Sequence, residues 1–100
     1  MGIVISINLL PPTILLRNLG QRARERRLEQ NLSRKTLGEK AGISSETIKL
    51  FERTGRIGLE SLVSLAIALD SVDEIELLFK PRPIRTLADA RVRKRVRGRR

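Results

Sequence analysis

Residues 32–53 read LSRKTLGEKAGISSETIKLFER, and the spacing of capping, small and apolar residues in this stretch decides the fold. Ser33 and Ser44 are each placed to cap the start of a helix. Gly42 is placed to end the first of these helices, because glycine readily adopts the left-handed conformation found there. The stretch therefore predicts two short helices joined by a tight turn, a helix-turn-helix arrangement, over residues 34–41 and 45–53.

The packing needs of such a helix pair are met by the residues between its caps. Gly38 and Ala41 are the small residues needed where the two helices cross, and Ile43 supplies an apolar plug in the turn. The inward anchors are Leu37, Ile48 and Phe51. The alternative is any small helical hairpin with the same packing needs. The combined spacing of small, glycine and apolar positions over the whole stretch favours a helix pair that binds DNA.

Three further helices flank this pair in the sequence. Residues 13–30 have helical periodicity, and Thr13 is placed to cap them. Residues 59–69 are strongly apolar, which favours a central helix. Ser71 and Glu74 have the spacing of a capping box for a last helix. The inward-facing residues of this helix would be Val72, Ile75, Leu78 and Phe79. The sequence therefore predicts an all-α fold of five short helices.

Two charged residues occupy positions where apolar residues are expected. Arg27 continues the stripe formed by Leu16, Leu19 and Ala23, and Glu52 continues the stripe of Ile48. Both can be solvated surface charges, which is the commoner fate of Arg and Glu. They can also form a bidentate buried pair, since either one buried alone would be costly.

The charge of the chain is concentrated at one end. Of the net charge of +10 over 100 residues, residues 80–100 carry +9, with ten Lys or Arg against Asp89. This distribution predicts a folded domain over 13–79 and a basic, flexible tail over 80–100. Pro11 and Pro12 end the N-terminal stretch, so a strand or arm is predicted over residues 1–12. The β-branched stretch 2–10 has two interpretations: a frayed terminus, or a short strand that pairs with its copy in a dimer.

Composition excludes several classes of function. The chain has no Cys and no His, so thiol catalysis, Cys/His zinc sites and histidine-based proton transfer are excluded. Only two aromatic residues are present, which disfavours single-strand binding by base stacking. We predict a protein that is not an enzyme and uses no cofactor or metal. No apolar run is long enough for a membrane span, so a cytoplasmic location is expected.

The segments RARERRLEQN and LSRKTLGEKAGISSETIKLFERTGR closely resemble the Xre-type, phage-repressor-like helix-turn-helix family, with a match from about Leu19 to Phe79. The resemblance implies a five-helix domain that binds double-stranded operator DNA as a homodimer, with helix 45–53 in the major groove. It also implies a structural Arg27–Glu52 pair. Three positions depart from the family: Arg34 stands where Gln is frequent, Arg53 stands where the residue after the last motif Glu is commonly polar, and Leu50 stands where some relatives contact a base with a polar side chain.

The candidate DNA contacts are mostly outward-facing residues of the two motif helices. Lys49 can donate to guanine or to phosphate, and Glu46 can accept from cytosine N4. Arg34 begins its helix, where backbone amides favour a phosphate. The alternative is an ordinary solvated face. The predicted DNA-binding residues are Arg34, Lys35, Ser44, Ser45, Glu46, Thr47, Lys49, Arg53 and Arg56.

Three functions remain open on the sequence. The first is a stand-alone transcriptional repressor. The second is an antitoxin, because the size and layout also resemble HipB-like antitoxins; this would imply a HipA-like kinase toxin as partner and repression of the protein's own operon. The third is a nonspecific nucleic-acid-binding protein acting through the tail, which salt-dependent binding without sequence preference would favour.

Overall fold

The computed structural model describes residues 10–82, and the regular secondary structure of this part of the chain is all α-helix. The five helices, numbered in chain order, are α1 (Pro12–Glu29), α2 (Arg34–Ala41), α3 (Ser45–Thr54), α4 (Leu59–Ala68) and α5 (Val72–Glu76). The prediction of an all-α, five-helix domain is thus confirmed. Of the strand predicted over 2–10, only Leu10 is among the described residues. The part of the predicted tail beyond Arg82 also lies outside them. None of the helices within 10–82 is long and apolar enough to cross a membrane.

The hydrophobic core lies where α2, α3 and α4 meet under α1. Leu37, Ile48 and Phe51 are each only 1% exposed, as the sequence predicted for the inward anchors. Helix α4 adds Leu65 and Leu69 to this cluster. Full burial of each side chain of this size contributes about 1.5–3 kcal/mol to the stability of the folded domain. The core therefore fixes the two motif helices against the rest of the domain.

The turn between α2 and α3 is tight because Gly38 has no side chain. Its carbonyl oxygen accepts from the backbone N–H groups of Gly42 and Ile43, at 2.8 and 3.0 Å. A Cβ atom on Gly38 would lie 2.5 Å from the carbonyl oxygen of Ile43. Position 38 therefore requires glycine mainly because the backbone of the turn packs directly against α2. Gly42 ends α2 in the left-handed conformation, as predicted.

Two predicted helix caps are wrong. Pro11, and not Thr13, precedes the first residue of α1, and Pro12 occupies the first turn, where a fixed φ and a missing N–H cost nothing. Ser71 makes no capping bond to α5. Its hydroxyl donates to the Leu69 carbonyl at 3.1 Å and accepts from Arg26 at 2.8 Å, so the oxygen is already engaged.

Arg26 also pairs with the second residue of the predicted capping box. Its guanidinium donates to the Glu74 carboxylate, which joins α1 to α5. This hydrogen bond, with the attraction of the carboxylate, raises the pKa of Arg26 above its ordinary value. Glu74 therefore contacts Arg26 of α1 and does not cap the backbone of its own helix.

The apolar face predicted for the last helix is largely exposed. Ile75 is half-buried, but Val72 and Leu78 are 43% and 55% exposed, and Phe79 is 98% exposed. Helix α5 ends at Glu76, after five residues, so Leu78 and Phe79 lie beyond it. The prediction of an inward face is wrong for these three residues, because α5 ends before Leu78 and Phe79, and the groove between α1, α4 and α5 that Leu78 lines is open to the solvent.

Candidate DNA-binding surface

Helix α3 lies directly against the backbone of α1. Gly20 of α1 is buried, and a Cβ atom there would lie 2.2 Å from the carbonyl oxygen of Phe51. At the end of α3, Gly55 has φ +81°, and a Cβ atom on it would lie 2.0 Å from the carbonyl oxygen of Leu16. Two backbone contacts along one side of α3 hold that side inward and leave the other side to the solvent.

A buried ion pair connects the same two helices. Arg27 Nε donates to Glu52 Oε2 at 2.7 Å, and Arg27 Nη2 donates to Glu52 Oε1 at 3.1 Å. The two side chains are only 6% and 3% exposed. Arg27 Nη1 also donates to the carbonyl oxygen of Leu32, at 2.8 Å. Of the two interpretations of these charges, the structure shows the bidentate pair, which joins α1, α3 and the loop before α2.

Arg34 brings a second guanidinium to the same carboxylate. Its Nε donates to Glu52 Oε1 at 2.9 Å, and 37% of its side chain is exposed. The sequence assigned Arg34 to a phosphate contact and did not foresee this bond. Glu52 therefore lies between two cations and fixes the position of Arg34 at the start of α2.

The outer side of α3 presents polar and charged side chains. Ser45, Glu46, Lys49 and Arg53 are exposed, as the sequence predicted for their orientation. Leu50 is 44% exposed and adds an apolar group to the polar α3 surface. The helix can therefore present donors, an acceptor and a methyl-rich side chain to a ligand without disturbing the core.

Ser44 and Thr47 have a structural task at the start of α3. Ser44 Oγ accepts from the backbone N–H of Thr47 at 3.1 Å, and the two hydroxyl oxygens lie 2.8 Å apart. Ser44 is exposed and Thr47 is half-buried. As predicted, Ser44 caps α3, so a DNA contact from either hydroxyl would be made in addition to the cap.

The remaining predicted contacts lie at the edges of the motif. Lys35 is exposed on the first turn of α2. Arg56 is exposed just after α3, where its backbone N–H donates to Thr54 Oγ1 at 3.1 Å. The predicted residues thus lie on α2, on α3 and in the adjoining loops.

The sequence reasoning missed the contribution of α1 to this surface. Gln21 and Arg24 of α1 line a shallow depression together with Arg34, Lys49, Glu52 and Arg53. A signal for Arg24 was present: it follows the buried Gly20 by four residues and precedes the buried Arg27 by three. Helical periodicity therefore directs Arg24 toward the side of α1 that contacts α3.

Comparison with known families agrees with this architecture. The model of the HTH_3 family of helix-turn-helix domains matches residues 24–77, more than half of the chain. The match begins in α1 and ends just beyond α5, so it includes the buried ion pair and both motif helices. Curated proteins give no match to the chain. On the fold, the exposed face of α3 and the family match, the chain belongs to the HTH_3 helix-turn-helix family and is a DNA-binding transcriptional regulator.

Proposed function

We propose that this regulator is a sequence-specific repressor that binds double-stranded operator DNA as a homodimer, with α3 in the major groove. The observation that carries the proposal is the division of α3 into two sides. Phe51 and Glu52 are held against α1, while Ser45, Glu46 and Lys49 are exposed on a helix of ten residues. A helix fixed in this way can enter the groove as a rigid unit, and a dimer bound over a promoter would block its use.

The chemistry of the exposed side chains suits base edges in the major groove. Lys49 can donate to guanine O6 and N7, and Glu46 can accept from the amino group of cytosine. Ser45 can bond to a base or a phosphate. Leu50 can contact the methyl group of thymine, which replaces the hydrogen bond that a polar residue would make there. The two half-sites of an inverted repeat would then lie roughly 10 bp apart, or a multiple of that distance.

Selection of duplexes from a random pool tests the proposal. The full-length protein should enrich an inverted repeat, and Lys49→Ala should weaken binding to that repeat more than binding to a mixed-sequence duplex. Lys40→Ala is the matched control, because Lys40 is an exposed lysine near the end of α2 and outside the proposed surface. Enrichment of no sequence would contradict the repressor. Equal losses on both duplexes would make Lys49 a phosphate contact only.

The finer proposal is an antitoxin that binds a HipA-like kinase toxin and represses its own operon. The alternative is a stand-alone regulator of the same family. The support is the order of elements in the sequence, in which a basic segment, residues 83–100, follows the helix-turn-helix domain. A toxin partner would give this segment a role that does not involve DNA.

Truncation before Pro83 separates the roles of the tail in one protein. If the tail binds along the DNA phosphates, the truncated protein should bind all DNA more weakly. The logarithm of its association constant K should also fall less steeply with the logarithm of the salt concentration, by about 0.9 in slope for each phosphate that the tail no longer neutralises. If the tail binds a toxin, operator binding should change little, while a HipA-like kinase co-expressed with the protein should no longer co-purify. A truncated protein unchanged in both assays would contradict both roles.

A further inference from the structure

We propose that the depression between α1, α2 and α3 is a binding site for a backbone phosphate of DNA, with Arg24 as a DNA contact that the helix-turn-helix motif alone does not contain. The inference rests on the proposed DNA binding and adds a third helix to it. Four cationic side chains from three helices line the depression: Arg24, Arg34, Lys49 and Arg53.

The charge of the depression favours an anion. Glu52 is the one carboxylate among its lining residues, and Arg27 already pairs with both Glu52 oxygens. Arg27 therefore compensates most of the charge of Glu52, and the four cations that line the depression leave it positively charged. Like charges brought together in this way repel each other, and a phosphate placed among them removes that repulsion.

Glu52 also prepares Arg34 for such a ligand. The carboxylate holds Arg34 through Nε, at 2.9 Å. Within residues 10–82, no acceptor bonds either Nη nitrogen of Arg34, although buried polar groups in this range are otherwise satisfied. A guanidinium fixed at Nε loses little further freedom when its other N–H groups bind a phosphate, and the planar fork matches two phosphate oxygens.

Arg24 has the features expected of a residue whose charged side chain is available to bind a ligand. It is exposed, and it forms no ion pair with any described residue. Its position on α1 places it beside α3 through the Gly20 contact, so α1 and α3 would engage the same strand of DNA. Phosphate contacts fix the orientation of a protein on the duplex but carry no sequence information.

The test compares Arg24→Ala with Arg22→Ala in the full-length protein. Both changes remove one positive charge from an exposed position on α1, but Arg22 does not line the depression and lies instead at a groove between α1, α4 and α5. Binding to a mixed-sequence duplex is measured over a series of salt concentrations. Arg24→Ala should lower affinity several-fold at low salt and make the slope of log K against log salt shallower by about 0.9, and Arg22→Ala should leave the slope unchanged.

The other outcomes overturn the inference in distinct ways. Equal changes in slope for the two variants would show a general effect of net charge. A loss of preference for the selected repeat in Arg24→Ala would show a base contact instead. Arg24→Lys should keep the slope, since a phosphate accepts either cation, and failure of this variant would also contradict the site. If the unaltered protein binds no duplex, the proposed function itself fails, which is a separate result.

Discussion

Glu52 is the residue on which the geometry of the DNA-binding surface depends most. It accepts three hydrogen bonds, two from Arg27 and one from Arg34. A buried ion pair adds little net stability compared with apolar residues of the same size, because both charges lose their hydration. Removing only one of the two partners lowers the stability strongly, because the other charge then stays buried without its partner. The pair therefore serves mainly to fix which way α3 lies on α1.

Arg27→Ala should lower the free energy of unfolding by about 3 kcal/mol or more, because Glu52 would keep only the half-exposed Arg34 as a partner. The double change Arg27→Met and Glu52→Leu should recover part of this loss. Urea unfolding followed by circular dichroism measures both, with Arg22→Ala as a control for an exposed arginine of the same helix. A loss below about 0.5 kcal/mol for Arg27→Ala would correspond to a surface pair and contradict a role in fixing α3.

At the scale of the helices, the backbones of α1 and α3 approach each other closely at two glycines, and the Arg27–Glu52 side-chain pair joins the same two helices. Gly20 and Gly55 allow this approach, and the core side chains of α3 then reach α2 and α4. Because the distance between the two helices is set by main-chain atoms, there is little room for adjustment by rotamer changes. The orientation of α3 is therefore sensitive to single atoms at this contact.

Gly20→Ala tests that sensitivity. Alanine within a helix gains about 1 kcal/mol over glycine. The new Cβ atom would nevertheless lie 2.2 Å from the Phe51 carbonyl oxygen, a backbone atom that cannot move alone. Overpacking of this kind costs about 1–3 kcal/mol, so we expect a net loss of stability together with weaker DNA binding.

Gly58→Ala is the matched control for this substitution, because a Cβ atom there meets nothing within 4 Å. Thermal unfolding and duplex titration of the two variants provide the comparison. Gly58→Ala should lower stability by no more than about 1 kcal/mol, because Gly58 is the N-cap of α4, where glycine is preferred to alanine, and it should leave DNA binding unchanged. A stabilised Gly20→Ala protein would mean that α1 and α3 can separate without cost.

The helices of the motif could be predicted from the sequence because their ends are encoded locally. Ser33, Ser44 and Gly42 act on groups a few residues away, so α2 was placed with the bounds that the structure has, and α3 to within one residue. The capping box at Ser71 failed because Arg26, distant in sequence, engages both of its members. The position of Arg24 beside the motif helices follows from helical periodicity only once the buried side of α1, marked by Gly20 and Arg27, is known to meet α3.

At the scale of the whole molecule, the apolar end of the domain supports the proposal of a dimer. Leu77, Leu78 and Phe79 are consecutive and more than half exposed, and Val72 of α5 is 43% exposed. Contiguous exposed apolar residues of this kind are characteristic of protein interaction sites. A second copy of the chain is the partner that an inverted repeat in the operator would require, and this face can supply the contact that the sequence analysis sought in residues 2–10.

Phe79→Asp should therefore shift the protein toward monomer in sedimentation equilibrium without a loss of helix content, because Phe79 is 98% exposed and makes no contribution to the core. Leu59→Asp is the control, since Leu59 is 72% exposed but lies at the start of α4, at the far end of that helix from α5. If Phe79→Asp leaves the association constant unchanged while deletion of residues 1–10 abolishes the dimer, the strand interpretation replaces this one.

The division of α3 into a fixed and a free side also has an evolutionary consequence. The residues that would choose the operator, Ser45, Glu46 and Lys49, are exposed and take no part in the core. Substitutions at these positions should change which promoter is recognised while the protein remains folded. A gene copy of this regulator could thus acquire a new target within a few mutations, and an engineer could exchange these positions as a set to redirect it.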